Sequence, residues 1–432
     1  MDEIRLKESW IQTRAAMSES LLAGALHAVF QEKMPADQYL KRVFRQDRRI
    51  GGRDRRLYAD LIFAVFRWFG ILRRHSSTPA FYLAGAAAAE KITDPVVGIF
   101  LKDAGLTGIQ PAELFHAELP FERLKAFLHR AGAAGSAEEY ECVPEWILPH
   151  LDFTPDKSFF TMQQTRSPLW LRIQRTPPEN AAESLRRQGI GAVPHDRIAT
   201  ALRIPDAGVN LPELEACKQG WIEVQDLSSQ AIGLACSPEP EQIWWDACAG
   251  GGGKTLQLAS QMNGKGVIIS SDVRENKLAE IRRRAAHANF SNIRTKKWDG
   301  IHLPMPEKFC DGVLVDAPCS SSGRWRRNPE SRWLLAEKHV SELSAVQKQI
   351  LSAASKAVKS GGILVYATCS FLSEENRGTA ECFLAAHPEF ELEPFPHPMS
   401  GETVPGMVQI LPEDGDCDAS FIARFRRRKE MP

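Results

Sequence analysis

The sequence predicts a multidomain chain of three parts: an all-helical segment over residues 1–140, a small mixed α/β module over residues 145–230, and a doubly wound α/β domain over residues 231–432. Two observations support this division. A length of 432 residues exceeds that of one ordinary domain. The spacing of apolar residues also changes from helical to strand-like after about residue 140.

The first segment has the apolar spacing of a helical domain, and it carries a basic cluster. The helical spacing is seen in Leu57, Leu61, Ile62, Val65, Phe66 and Phe69. Residues 41–74 contain eleven Lys or Arg residues against three Asp residues. Such a cluster is either a face that contacts phosphates or a solvated helix face with internal ion pairs. The sequence leaves both interpretations open.

The two later segments contain strands. In residues 145–230, "PLWLRI" and "TALRIP" are typical of strands and "PENAAESLRRQG" of a helix that begins at proline. From Gln225 onward four apolar runs, "IWWDAC", "GVIISSD", "CDGVLVDAP" and "GGILVYATC", alternate with helical stretches. Runs with so few charges indicate strands buried on both faces. A parallel sheet is therefore expected, with ligand sites at the carboxyl ends of its strands.

The first of these strands leads into the loop "DACAGGGGKT", Asp246 to Thr255. It ends in Gly-Lys-Thr, as a phosphate-binding Walker A loop does. That motif requires a glycine five positions before Gly253, where this chain has Cys248. The consecutive glycines allow the backbone to approach a ligand closely. They are also compatible with a flexible turn.

Acidic residues end the next two strands. Asp272 follows the glycine loop by about twenty residues, where an acidic side chain can accept hydrogen bonds from ribose hydroxyls. Asp299, in "KKWDG", is placed to receive an adenine amino group. Each also has a simpler interpretation, since Asp272 could cap a helix and Asp-Gly is a turn sequence. Together they favour a cofactor that contains a nucleoside.

Two cysteines end neighbouring strands. "VDAPCSSSGRWRR" places Asp316 and Cys319 after one strand, and "ATCS" places Cys369 after the next. A lone cysteine at a strand end is usually a small core residue. The nine cysteines show no C-x-x-C pair, which argues against a disulfide framework, and no clustered histidines suggest a metal. We therefore expect no metal site.

A thiolate beside a nucleoside cofactor suggests covalent activation of an electron-poor ring. Attack of sulfur at C6 of a pyrimidine makes C5 nucleophilic enough to take a methyl group from a sulfonium. The negative charge of the ring must then be neutralised by a protonated carboxyl near N3 or by one that holds the amino group, and Asp316 is the candidate. The C5 proton must leave before the sulfur can. The spacing alone does not rank Cys319 and Cys369 as nucleophile.

These segments resemble the RsmB/Sun family of RNA (cytosine-5)-methyltransferases. The resemblance rests on "VQDLSS", "DACAGGGGKT", "DAPCSSSGRWRRNPESRW", the helix around Gln347 and "GGILVYATCSFLSEEN". The stretch "GGRDRRLYADLIFAVFRW" is also similar to the NusB-like helical domain that precedes the catalytic domain in one branch of the family. The resemblance implies a Rossmann-like class I methyltransferase domain that acts on RNA, most directly on small-subunit rRNA.

The resemblance also implies roles for individual residues. S-adenosylmethionine would lie against Cys248, Ala249, Gly250, Gly251, Gly252, Gly253 and Lys254, with Asp272 on the ribose, Asp299 near the adenine and Asp316 near the base. The nucleophile would be Cys369, with Cys319 assisting release. In DNA cytosine-5 methyltransferases the cysteine after proline attacks instead, so Cys319 is the alternative nucleophile.

Two positions depart from the family pattern. Gly250 and Gly251 stand where relatives carry a small residue and a proline, so we expect a more flexible loop and weaker cofactor binding. Near the end, "CDASFIARF" replaces a strand with paired aromatics, and an edge strand is expected there.

Basic and aromatic residues follow Cys319. Arg324, Arg326, Arg327 and Arg332, with Trp325 and Trp333, suit phosphate contacts and base stacking on single-stranded or flipped nucleotides. The simpler interpretation is a surface loop anchored by its tryptophans. With RNA as the expected partner, a phosphate-contacting role for residues 41–74 becomes the favoured interpretation.

Three classes of function are compatible with these features: an RNA methyltransferase, a non-catalytic RNA-binding factor on a methyltransferase fold, and a P-loop NTPase. The intact cysteines and aspartates favour the first. A formal net charge of zero argues against a protein that coats polyanions along its whole surface. The start "MDEIRLKESW" lacks the apolar core of a signal peptide, and "PAFYLAGAAAA" is too short to span a bilayer. We expect a soluble, cytoplasmic monomer with no membrane partner.

Overall fold

The computed structural model describes residues 2–133, 137–205 and 209–429, with side chains from Glu8 onward. The chain divides into two compact units. The helical unit comprises Met1–Pro149, Thr154–Arg166 and Trp325–Ala336, and the α/β unit comprises His150–Phe153, Ser167–Arg324 and Glu337–Pro432. Each unit is therefore built from separated stretches of sequence.

The helical unit contains only helices and turns among its described residues. Its longer helices are α1 (Asp2–Phe30), α2 (Ala36–Gln46), α3 (Gly52–Leu72), α4 (Pro79–Ala89), α5 (Val96–Asp103), α6 (Pro120–Arg130) and α7 (Lys157–Gln163). The core lies around α3, because Leu61, Ile62 and Val65 are fully buried. The helical spacing predicted for this stretch is confirmed.

The small module forms an antiparallel sheet inside the α/β unit. Its elements are β1 (Leu169–Ile173), α8 (Pro178–Arg187), β2 (Val193–Pro194), β3 (Ala201–Ile204), α9 (Glu215–Lys218) and β4 (Ile222–Val224), in the strand order β2-β3-β1-β4. From the sequence, the module at residues 145–230 could be either a separate RNA-contacting lobe or an elaboration of the domain that follows. The two share one unit because Trp170 and Ala201 pack into the same apolar cluster as Leu227 and Ala231.

The remaining elements form the large sheet, a separate two-stranded sheet and further helices. They are α10 (Leu227–Cys236), β5 (Ile243–Asp246), α11 (Gly253–Gln261), β6 (Val267–Asp272), α12 (Glu275–His287), β7 (Ile293–Lys297), β8 (Cys310–Asp316), α13 (Ser331–Leu334, in the helical unit), α14 (Glu337–Ser355), β9 (Val358–Thr368), α15 (Arg377–Ala386), β10 (Phe390–Leu392), β11 (Phe395–Pro396), β12 (Thr403–Val404), β13 (Met407–Ile410) and β14 (Ser420–Arg427). The strands predicted from the apolar runs are β5, β6, β8 and β9.

The order of the large sheet is β10-β14-β9-β8-β5-β6-β7, with β13 also paired to β14. The pairs among β7, β6, β5, β8 and β9 are parallel, which is a class I methyltransferase-like α/β fold. Strand β14 differs from the prediction of an edge strand. It pairs antiparallel with β9 on one side and with β10 and β13 on the other, so its backbone is bonded on both sides.

The centre of the sheet offers a test of its packing. A Cβ atom at Gly312 in β8 would lie 2.3 Å from the ring of Trp244, which is 1% exposed in β5. We expect Gly312→Ala to lower the free energy of unfolding by about 1–3 kcal/mol, because the buried ring cannot move aside. Urea unfolding followed by tryptophan fluorescence measures this change. The control is Gly191→Ala, since no atom lies within 4 Å of its added Cβ; equal losses in both variants would contradict the prediction.

Candidate functional site

The glycine loop connects the end of β5 to α11 and adopts a backbone that requires glycine. Gly250 and Gly252 have φ angles of +52° and +86°, in the left-handed region. A Cβ at Gly252 would also lie 2.9 Å from Cγ1 of Ile281 in α12. The loop therefore turns tightly and packs closely on a helix, and its backbone groups line the carboxyl end of the sheet.

Asp272 holds this loop in place. The Gly250 amide donates to Oδ2 of Asp272 over 3.1 Å, and Arg274 donates to the same carboxylate through its backbone and its side chain. Burial alone would raise the pKa of Asp272, but these hydrogen bonds lower it below the ordinary value. Asp272 therefore ends β6 as an ionised carboxylate beside the loop.

A second anchor, from Arg284 in α12, was not foreseen from the sequence. Its guanidinium donates to the carbonyl of Gly251 and forms an ion pair of 2.7 Å with Glu223. We expected flexibility from the glycines at positions 250 and 251. In the structure the first is bonded through its amide and the second through its carbonyl.

Asp246 lies fully buried at the end of β5, at the start of the loop. Its Oδ2 accepts a hydrogen bond of 2.6 Å from Thr255 Oγ1. Burial raises the pKa of Asp246 to about 7, and the neighbouring Asp316 and Asp272 act in the same direction. The loop therefore begins from a carboxyl group that is easily protonated.

The Lys254 side chain forms an ion pair with a carboxylate. Its ammonium lies 2.8 Å from Oδ2 of Asp316 at the end of β8. Burial opposes the charged ammonium, but Asp316 raises the pKa of Lys254 above its ordinary value. The pair joins the glycine loop to the strand that leads to Cys319.

The two cysteines meet at the ends of β8 and β9. Cys319 Sγ lies 3.3 Å from Cys369 Sγ, and Ser321 Oγ lies 3.5 Å from Cys369 Sγ. The hydrogen bond from Cys319 lowers the pKa of Cys369, and burial opposes this effect. The same hydrogen bond is the main cause of the raised pKa of Cys319. The pair is therefore polarised: the shared hydrogen bond favours the charged form of Cys369 and disfavours the charged form of Cys319.

Other cysteines of the chain contrast with Cys369. Burial raises the pKa of Cys142, Cys236 and Cys248, and it raises that of Cys310 to about 12. These thiols are inert at neutral pH. Cys248 thus contributes backbone and bulk to the glycine loop rather than a reactive sulfur.

Asp299 lies just after β7 and is exposed. Its carboxylate accepts hydrogen bonds from the backbone amides of Ile301 and His302 and from the His302 ring. The bonds from His302 lower its pKa. These contacts belong to its own turn, as the simpler interpretation of Asp-Gly suggested.

The basic residues after Cys319 divide into two groups. Arg324 is exposed and Arg327 is half-buried. Arg326 and Arg332 are 1% and 0% exposed, within the helical unit. Arg326 donates to Thr165 Oγ1 over 2.8 Å. The prediction that Arg326 and Arg332 bind RNA is therefore wrong, because a guanidinium enclosed by protein cannot reach a phosphate.

Arg332 organises backbone inside the helical unit. It donates to the carbonyls of Cys142, Gln163 and Trp325 over 2.7, 3.2 and 3.2 Å. Burial lowers the pKa of Arg332 to about 9. The tryptophans expected to stack on bases are also structural, since Trp325 is fully buried and Trp333 donates to the Phe66 carbonyl.

Two kinds of site are not found in the described ranges. No cluster of three or more His, Cys, Asp or Glu residues there could hold a metal ion. Among the helices described, none is both long and apolar enough to cross a bilayer.

Comparisons with known proteins place the chain among methyltransferases. Residues 233–426 match the family described as 16S rRNA methyltransferase RsmB/F. The chain is 32% identical over 292 residues to the ribosomal RNA small subunit methyltransferase B of Pectobacterium atrosepticum, covering 65% of this chain and 66% of that protein. The protein of that name from Yersinia pseudotuberculosis is 31% identical over 297 residues, 66% of each. The alignments thus span just under two thirds of these relatives.

Solved structures support the fold. The crystal structure of PH0851 aligns with a TM-score of 0.73 at 23% identity over 96% of this chain and 99% of that one. NSun6 from Pyrococcus horikoshii with SFG aligns with a TM-score of 0.55 at 18% identity, over 63% and 94% of the two chains. At these identities the likeness concerns the fold.

The two groups of arginines differ in what their removal should change. We expect Arg332→Met to lower the free energy of unfolding by about 1–3 kcal/mol, because buried carbonyls lose their donor, and to leave the RNA affinity of the folded protein unchanged. Arg324→Met should change stability by less than about 0.5 kcal/mol and weaken RNA binding. Urea unfolding and fluorescence anisotropy with an rRNA fragment measure the two quantities. Weakened RNA binding by folded Arg332→Met would contradict this division.

Proposed function

We propose, from the premise that this chain belongs to the RsmB/F family of methyltransferases, that it is an RNA (cytosine-5)-methyltransferase acting on small-subunit rRNA. The observation that carries the proposal is the polarised pair of Cys319 and Cys369, 3.3 Å apart beside the glycine loop and Asp316. A structural cysteine pair in a core would not require opposite pKa shifts of its two sulfurs at the carboxyl ends of neighbouring strands.

S-adenosylmethionine fits the residues around the loop. Open space lies where a Cβ of Gly250 would stand, so a ligand can approach this backbone closely, and Asp272 presents an ionised carboxylate at the end of β6. We assign Cys248–Lys254 and Asp272 to the cofactor, with Asp299 near the adenine and Asp316 near the methyl-accepting base. Bound there, the cofactor supplies an electrophilic methyl group on a sulfonium.

Cys369 starts the reaction as the nucleophile. Its thiolate forms a bond to C6 of the target cytosine, and the electron pair of the C5–C6 double bond makes C5 nucleophilic. Asp316 holds the N3 and amino edge of the ring, where the charge develops. The Lys254 ammonium on Oδ2 of Asp316 keeps this carboxylate in place.

Cys319 changes role once Cys369 is bound to carbon. The hydrogen bond to Cys369 is the main cause of the raised pKa of Cys319, and it requires a free thiolate as acceptor. The covalent adduct removes that acceptor, so Cys319 releases its proton to water more easily. The resulting thiolate takes the proton from methylated C5, and the C6–S bond breaks to restore the thiolate of Cys369.

The helical unit is assigned a NusB-like, RNA-binding role. Exposed arginines remain on the basic stretch of residues 41–74, whereas Arg67 is buried and paired with Glu90 at 2.7 Å. Among the described residues of this stretch, the exposed members for which we find no ion pair are Arg45, Arg48, Arg53, Arg56 and Arg73. These arginines are suited to the phosphates of a structured RNA.

A P-loop NTPase is the weaker alternative. A phosphate-binding lysine must be free to meet the ligand, whereas Lys254 is paired with Asp316. Asp272 likewise accepts the Gly250 amide, one of the groups that would otherwise face a phosphate.

The roles of the two cysteines can be separated by substitution. We expect Cys369→Ala to abolish methyl transfer, because no sulfur then attacks C6. Cys319→Ala should leave a covalent protein–RNA adduct that survives a denaturing gel, because the C5 proton is retained. Bisulfite sequencing of rRNA from cells that express each variant identifies the methylated cytosine. An unchanged rate in Cys369→Ala would disprove the mechanism.

The cofactor can be identified by calorimetry. We expect S-adenosylhomocysteine to bind and ATP not to bind. Asp272→Ala should weaken the binding of S-adenosylhomocysteine by about tenfold or more, because a charge-assisted bond to the ribose and the anchor of Gly250 are both lost. Arg282→Ala, on the exposed side of α12, is the control. ATP binding without S-adenosylhomocysteine binding would restore the P-loop NTPase alternative.

A further inference from the structure

We propose that Glu375 is a positioning residue that ties the Cys319 loop to the Cys369 loop and so holds the two sulfurs within hydrogen-bonding distance. Its part in catalysis rests on the methyltransferase function proposed above. The tie itself can be tested without any methylation assay.

Glu375 is fully buried and its carboxylate accepts four hydrogen bonds. Oε1 accepts from the Ser320 amide over 2.8 Å and from Gln347 Nε2 over 3.0 Å. Oε2 accepts from Ser320 Oγ over 2.5 Å and from Ser370 Oγ over 2.6 Å. Every partner is a donor, which is the pattern that an ionised carboxylate requires.

These donors stand directly next to the reactive cysteines. Ser320 follows Cys319 in the chain, and Ser370 follows Cys369. Gln347 adds a second tie, because its Nε2 also donates to the carbonyl of Pro318 over 2.9 Å. The Glu375 carboxylate thus accepts hydrogen bonds from the residue that follows each cysteine. The Gln347 amide, which donates to Glu375, also donates to the residue before Cys319.

A carboxylate is suited to this position for two reasons. Its two oxygens can accept all four bonds, whereas an amide would direct an N–H group at existing donors. Its charge also matters: after the hydrogen bond to Cys369 and burial, the carboxylate of Glu375 contributes to the raised pKa of Cys319. Cys319 is therefore kept as the thiol that donates to Cys369.

Glu375 acts through its neighbours rather than on the substrate. Its carboxylate accepts four hydrogen bonds from serine and glutamine groups, and neither cysteine sulfur donates one of them. The groups that face Cys369 are Cys319, Ser321, Asp316 and Arg324. The sequence showed Glu375 only as part of "SFLSEEN", next to a second glutamate, with no signal that distinguished the two.

The first test compares Glu375→Gln and Glu375→Ala with Glu374→Gln in steady-state methylation. We expect both Glu375 variants to lower kcat by about tenfold to a hundredfold, because small displacements of reacting groups have effects of this size. The KM for S-adenosylmethionine should change by less than about twofold, because the glycine loop is untouched. Glu374 is the matched control, since its side chain bonds His150 and is 39% exposed.

The second test measures the affinity for phenylarsine oxide, whose arsenic bonds to two thiols at once and therefore requires the two sulfurs to lie close together. Wild-type protein should bind it tightly through Cys319 and Cys369, and Cys319→Ser should not. We expect Glu375→Gln and Glu375→Ala to bind it at least about tenfold more weakly, because the loops are no longer tied. Ser320→Ala, which removes one donor, should show a smaller loss in the same direction.

The outcomes separate the two proposals. One outcome is that the wild-type protein methylates no RNA while the Glu375 variants bind phenylarsine oxide more weakly than the wild type. This outcome would overturn the proposed function and support the tie. Folded Glu375→Gln with wild-type kcat and arsenical affinity would overturn the tie. Circular dichroism identifies variants that do not fold, and if Glu375→Ala is one of them, Glu375→Gln and Ser320→Ala decide the question.

Discussion

The parallel pairing of β8 with β9 is the constraint on which the active site depends. In this register Asp316 lies opposite Ala367, and the Ala317 amide donates to the Ala367 carbonyl over 2.9 Å. The two cysteines follow within a few residues of this last shared rung, so both are delivered to the same end of the sheet. The hydrogen bond between them lowers the pKa of Cys369 and raises the pKa of Cys319. Chemistry that needs two different sulfurs thus arises from two identical side chains and one strand pairing.

Much of the catalytic domain could be predicted from residue patterns. Apolar runs without charges identified the parallel strands, and the rule that ligands bind at the carboxyl ends of such strands brought Asp272, Asp316, Cys319 and Cys369 together. Glu375 could not be found in this way, because its importance comes from the donors that surround it. Arg284 escaped for the same reason, since its partner is a backbone carbonyl.

The basic residues after Cys319 show where local patterns mislead. Arginine and tryptophan on a loop suggest an exposed surface for RNA, and Arg324 fits that description. Arg326 and Arg332 instead satisfy buried backbone and hydroxyl groups in the helical unit. A sequence window cannot reveal this, because the acceptors lie more than 150 residues earlier in the chain. Strand β14 was also misjudged, because its pairing with β10 and β13 was not foreseen from the sequence.

The contribution of Trp325–Ala336 to the helical unit has a consequence for biosynthesis. The ribosome makes the helices of that unit first, yet the carbonyls of Cys142 and Gln163 have no Arg332 to bond until residues 167–324 have also been translated. The nascent helical unit therefore remains incomplete while the glycine loop, Asp316 and Cys319 emerge. Completion of its core is coupled to translation past Cys319, so a chain truncated before that point lacks both the cysteine pair and a finished amino-terminal fold.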